Sequence, residues 1–221
     1  MSQMHPVEHQ CHNCSKISRF DVYSSVNVTL DPSLKKQILD SSLFNWECPF
    51  CHEKYNLVND FLYHDMDHHF MMFFDPDEIA EREYKEDTAL PPMPPLFKIE
   101  RYNLRQVHGL NRLKEKIKIL DAGLDDIVVE LLKLFTKVNN KELQECSIYF
   151  EAKEGDVLSF AFRNNVSEKW GTFDVPFAFY QKNQTMAEQT KAFIPAVGMC
   201  AEVNEGWIHE HIKRLSSSQC K

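Results

Sequence analysis

The chain has 221 residues, 43% of them hydrophobic and 26% charged, a balance ordinary for a soluble globular protein and enough to bury a core in one large domain or two small ones. No run of eighteen apolar residues occurs, which argues against a membrane-spanning helix, and a formal net charge of -8 disfavours a broad nucleic-acid footprint, which needs an excess of Lys and Arg. The opening MSQMHPVEHQ lacks the basic end and apolar stretch of a secretion signal, so a cytoplasmic location is expected, and the seven cysteines, an odd number, are expected as thiols.

CHNC at 11 to 14 and CPFC at 48 to 51 are separated by 33 residues. Each C-x2-C lets two thiolates of one tight turn point at a single cation, and two such turns complete the tetrahedral set that structural zinc prefers. Cys11, Cys14, Cys48 and Cys51 are therefore the expected metal ligands. Soft thiolates leave no open position for water, so such a site holds a fold together rather than activating a nucleophile. Iron takes the same ligands. His12 and His52, each beside a cysteine, are weaker alternatives to a sulfur. A thioredoxin-like redox motif would need one pair opening a helix after a strand, a context neither pair has.

The span between the pairs needs structure of its own. RFDVYSSVNVTL puts Phe20, Val22, Val26, Val28 and Leu30 on one parity, the mark of a half-buried strand. Asp31 is placed to cap a short helix starting at Pro32, with Leu34, Ile38 and Leu39 facing inward. LFNWEC, with Phe44 and Trp46 on the side of Cys48, delivers the second turn.

YNLVNDFLYH and HFMMFF predict a hairpin with the histidine-rich HDMDHH, residues 64 to 69, at its tip. A two-residue tip would make His64 and His69 cross-strand partners, able to share a metal or a proton. The segment from 75 to 97 is acidic and then proline-rich, which predicts an extended spacer. Residues 97 to 108 read as a strand entering a helical hairpin. Leu110, Leu113, Ile117, Leu120 and Leu124 line one face of its first helix, with Arg112, Lys114, Lys116 and Lys118 on the remainder as a solvated face or a contact for an acidic partner or RNA. From Lys98 to Lys118 seven basic residues stand against Glu100 and Glu115, a local +5. Gly123 suits a left-handed helix stop, and Asp125 and Asp126 suit the next helix start. Lys133 and Lys137 sit near that helix's end, as the dipole prefers, and its apolar stripe includes Val138. CSIYFEA and VLSFAF predict strands joined by KEGD, GTFDV a third, with helices near 177 to 192 and from about Asn204. In HEH at 209 to 211 the two histidines, two apart on a helix, point different ways.

CHNC, YSSVNVTLDPSLKKQILDSSLFNWECPFC, LYHDMD and LKEKIKILDAGLDDIVVELLK resemble the CpXC family of bacterial proteins over most of residues 9 to 138. The resemblance implies a zinc-ribbon-like N-terminal module on a small α+β protein, carries the ligand positions over as Cys11, Cys14, Cys48 and Cys51, and brings no activity with it. Two departures are the missing proline in the first turn and the presence of Ser15 and His52 where zinc turns often place Gly, positions that can demand positive φ.

The expected architecture is α+β in three parts: a zinc-ribbon-like module over 1–75, a linker over 76–96, and an α+β scaffold over 97–221. The expected function is a zinc-binding scaffold without catalysis, for another protein or a second copy of the chain. The rivals are a hydrolase or transferase using the His64 to His69 cluster, with a second metal on His64, His68 or His69, and a nucleic-acid binder using Arg112, Lys114, Lys116 and Lys118.

Overall fold

The computed structural model describes residues 1–78, 84–89, 101–190, 193–196 and 198–218; the polyproline reading at 91–95 and the tail thiol Cys220 lie outside them. Helices and strands share the chain, with most strand pairs antiparallel, so the protein is α+β. It divides into two compact units, Met1–Glu78 with Met93–Gly109 and Ile79–Pro92 with Leu110–Lys221.

In the first unit, β1 (Gln3–Gln10) and β2 (Ile17–Asn27) form an antiparallel ribbon in which Gln10 faces Ile17. α1 (Pro32–Leu39) buries Leu34 and Ile38. A short ribbon follows, β3 (Asn45–Glu47) against β4 (Lys54–Asn56), and then a hairpin of β5 (Phe61–Asp65) and β6 (Phe70–Asp75). β7 (Thr88–Ala89) belongs to the second unit, whereas β8 (Asn103–His108) returns to the first. The five strands order as β1-β2-β5-β6-β8, with β2 parallel to β5 and β6 parallel to β8. Parallel neighbours need a crossover, and the one from β2 to β5 carries α1 and the β3–β4 ribbon. β6 has a partner on each side and begins FMMFF, apolar at both parities, as a strand covered on both faces requires.

Three expectations change here. The strand predicted to Leu30 ends at Asn27, whose side-chain carbonyl accepts from the Leu30 amide at 3.1 Å and closes a turn, leaving Leu30 56% exposed. The Asp31 carboxylate does not cap α1 but accepts from the amide and hydroxyl of Ser2, at 3.1 and 2.6 Å. Asn103–His108, assigned from sequence to a C-terminal part starting at 97, completes the sheet of the first unit instead. With β5 on one edge of β6, the other edge needs a partner for its backbone, and β8 supplies it while burying Leu104 and Val107.

The second unit contains α2 (Leu110–Asp121), α3 (Asp126–Asn139), a sheet of β9 (Cys146–Glu154), β10 (Val157–Asn164) and β11 (Trp170–Pro176) in the order β11-β10-β9, then α4 (Phe177–Thr190), β12 (Met199–Cys200) paired with β7, and α5 (Glu205–Ser218). Gly123 stands at φ +66 after α2, and Asp125 caps α3 by accepting from the amides of Ile127 and Val128, as their residue types predict. α3 serves two cores. Val128, Val129 and Leu132 pack in a cluster with Ile148, Phe150, Leu158 and Phe160, while Ile127, Leu131 and Leu134 pack in one with Trp207 and Ile208. Val138, read as part of the apolar stripe, is 64% exposed, because the last turn of α3 runs beyond both clusters.

Candidate metal centre

Both cysteine turns sit at the ends of two-stranded ribbons, CHNC between β1 and β2 and CPFC between β3 and β4. They repeat one geometry. The Cys11 amide donates to Lys16 O at 3.0 Å and the Ser15 amide to Cys11 O at 2.8 Å; the Cys48 amide donates to Glu53 O at 2.9 Å and the His52 amide to Cys48 O at 3.0 Å. In each, the residue after the second cysteine takes positive φ, +58 at Ser15 and +62 at His52. Only a left-handed residue there lets the chain fold back under the first cysteine, so these two non-glycine residues carry local strain of order 1 kcal/mol.

The two turns face each other. All four Sγ atoms lie within 4.8 Å of one another, with Cys11 3.6 Å from Cys51 and Cys14 3.7 Å from Cys48. Cys11 and Cys48 are buried and Cys14 and Cys51 half-buried. These four could hold a metal ion, and among the described residues no other group of His, Cys, Asp or Glu side chains converges in this way. His52 turns instead to Glu47, 2.9 Å from its Nδ1, and the His12 ring lies edge-on to Tyr55 and His9.

One participant was not anticipated from sequence. Tyr55, opposite Trp46 across the β3–β4 pair, brings its hydroxyl 3.4 Å from Cys11 Sγ while accepting from the Asn13 amide at 3.1 Å. The Tyr55 hydroxyl, donating to Cys11 Sγ, is the main cause pulling the Cys11 thiol down to about 6. Cys14 moves the other way, to about 11: the Lys16 amide favours its thiolate, but burial and the neighbouring sulfurs outweigh it. Four thiolates cannot share this space without a cation or bound protons to offset their repulsion. Tyr55→Phe should keep the ribbon, since Trp46 and Phe20 still fill the small core around the sulfurs, yet weaken metal affinity about tenfold, measured by chelator competition.

The expected hairpin forms, but its histidine-rich tip is longer than the two residues that would pair His64 with His69. Asp65 pairs with Phe70 and His64 with Met71, so four residues, Met66 to His69, make the turn, and His64 and His69 are not cross-strand partners. His69 takes φ +52. Asp65 is 2% exposed and accepts from His68 Nδ1 at 2.8 Å and the His68 amide at 3.1 Å, with Lys35 Nζ 3.6 Å away. Burial opposes its charge, but His68 and Lys35 together hold its carboxyl below the usual carboxylate range. His64 lies between the Asn27 amide nitrogen, 3.3 Å from Nδ1, and the Tyr102 hydroxyl, 3.1 Å from Nε2. Because the amide nitrogen donates, Nδ1 accepts and Nε2 carries the proton.

Burial lowers the His64 pKa from its ordinary 6.5. The unfolded chain therefore takes up this proton first, and the contribution of His64 to stability is complete above about pH 6.5, falls below it, and levels off beneath the folded-state value. Urea midpoints measured against pH should show this fall in the wild type and a weaker one in His64→Gln.

The basic face of α2 is not the solvated surface that its sequence suggests. Lys116 is 3% exposed, donating to Asp126 Oδ2 at 3.0 Å and Val203 O at 2.9 Å with Glu130 at 3.7 Å. Arg112 meets Glu115 Oε2 at 2.7 Å and Ile148 O at 2.8 Å, and Lys118 meets Glu151 at 2.5 Å. Lys133 reaches Glu115 at 3.1 Å and Glu130 at 2.8 Å, and Lys137 reaches Glu205 at 2.5 Å, so these two lysines serve carboxylates rather than merely the helix dipole. Sequence periodicity assigns polar residues to water; it carries no signal that α2 and α3 place their opposite charges against each other.

A family model described as CpXC protein matches residues 9–133, from just before the first cysteine turn into α3. No curated protein and no solved structure matches the chain.

Proposed function

The chain belongs to the CpXC protein family, and from that premise we propose that it is a zinc protein whose four-thiolate centre is structural, joining two ribbons of a scaffold that binds another macromolecule. The observation that carries this reading is the spacing of the sulfurs. A tetrahedron with Zn–S bonds of about 2.3 Å has S···S edges of about 3.8 Å, and the Cys11–Cys51 and Cys14–Cys48 separations are 3.6 and 3.7 Å. Four sulfur donors would fill the coordination sphere, so the ion would contribute stability and no bound water.

The reading is tested by counting metal. Protein purified without added chelator should carry one zinc per chain, and Cys48→Ser should lose it. Iron in its place would leave the structural role intact and change the ion. A chain that folds normally with all four cysteines replaced would overturn the proposal. A second, chelator-labile ion lost on His64→Ala would support the hydrolase reading instead.

A further inference from the structure

A cleft of about 450 Å3 opens in the second unit between the end of α3 and the first half of α5, within the size range of sites for small molecules. Leu134, Lys137, Glu205 and Gly206 on its walls are buried, while His209 and Lys213 stand on its exposed rim beside Tyr84. The Lys137 ammonium donates to Glu205 Oε2 at 2.5 Å, the two side chains being 6% and 9% exposed. The pair is buried, like the Lys116–Asp126 and Lys133–Glu115 pairs of this unit, and both its members also line the cleft. The charged groups around it are Glu205, Lys213 and Glu210 on α5, Lys133 on α3, Arg112 on α2 and Glu145 before β9. Burial first, then Lys133 and Arg112, hold the lysine below its ordinary range despite Glu205, and a desolvated lysine near other cations is the setting in which an amine becomes nucleophilic.

We propose that this cleft binds a small keto acid and that Lys137 forms an imine with its carbonyl carbon. Glu205 takes one proton from the ammonium, and the freed lone pair attacks the carbonyl carbon. The proton that the attacking nitrogen sheds passes to the carbonyl oxygen, giving a neutral carbinolamine. Glu205 then returns its proton to the hydroxyl, which leaves as water as the C=N bond forms. Ammonium and carbonyl become iminium and water, with no change of oxidation state. Lys213, with His209, is placed at the mouth to receive the carboxylate of the ligand. The inference is independent of the zinc reading, which concerns the other unit.

The test treats the full chain at neutral pH with pyruvate and sodium cyanoborohydride, which traps an imine as a stable amine, and maps the modified lysines by mass spectrometry. Lys137 should be labelled first and saturably, ahead of exposed Lys36 and Lys54. Lys213→Ala, an exposed change that leaves the ion pair in place, should raise the pyruvate concentration for half-maximal labelling roughly tenfold and leave labelling by acetaldehyde unchanged. Lys137 labelled no faster than Lys36 and Lys54 would overturn the imine. A Lys213→Ala variant with unaltered pyruvate labelling would overturn the keto-acid assignment.

Discussion

Glu115→Ala is expected to destabilise the second unit by about 3–5 kcal/mol, the cost of removing one member of a buried ionic group and stranding the others. Glu115 is 1% exposed and its carboxylate is held by three hydrogen bonds: Oε1 accepts from Lys133 at 3.1 Å and from the Phe150 amide at 2.8 Å, and Oε2 from Arg112 at 2.7 Å. Alanine would leave two cations and a strand amide without this acceptor, inside a core where water cannot replace it. The same carboxylate should be visible in acid. Burial opposes its charge, but Lys133, Arg112 and Lys116 prevail and hold it down at about 2, from an ordinary 4.5. A lowered carboxyl contributes stability that is complete above the unfolded value and is lost as pH falls through the folded one, so the second unit should weaken between about pH 4.5 and pH 2. Glu115→Gln should flatten that decline. Chemical unfolding of wild type and both variants across this range measures each effect.

On the proposed zinc reading, stripping the ion should have the other large consequence, on the order of 10–16 kcal/mol of apparent binding free energy withdrawn from the first unit. The ribbons that hold the sulfurs have little else. β3 and β4 are three residues each, and the buried cluster around them contains Cys11, Trp46 and Cys48, with Phe20, Tyr55 and Leu57 only partly covered. Chelation is expected to raise amide hydrogen exchange across Asn45–Asn56 towards unfolded rates and to change the near-ultraviolet signal of Trp46. Amides of α2 and α3, in the other unit, should keep their protection. Unchanged exchange in Asn45–Asn56 after complete metal removal would sink the structural role.

The four-cysteine cluster was legible in sequence because it is built from local signals. Two C-x2-C turns name the four thiols that converge, and the strand alternation ahead of Trp46 and Cys48 places the second pair. The need for positive φ at Ser15 and His52 was legible too, since a turn that doubles back under its first residue has few other conformations. Tyr55 was not, because its role depends on the β3–β4 register that sets it opposite Trp46, and nothing in KYN announces a register. The helix pair 110 to 139 was predicted with its stop and cap, yet Lys116, Lys133 and Lys137 were assigned to water or to the helix end. A lysine at a polar helical position looks the same whether its neighbour is solvent or Asp126 on the next helix. The strand at 103 to 108 was recognised as a strand but given to the wrong unit, since local pattern cannot tell which open edge a strand will meet.

The parallel pairing of β6 with β8 bears on how the part of the chain that carries the cysteine cluster is handled as a fragment. A polypeptide ended at Asp75 keeps Cys11, Cys14, Cys48 and Cys51 but bares the backbone edge of Phe70–Phe74 that β8 covers. An unshielded apolar strand of this length recruits further strands and drives aggregation. A monodisperse fragment carrying the four cysteines must therefore extend through His108.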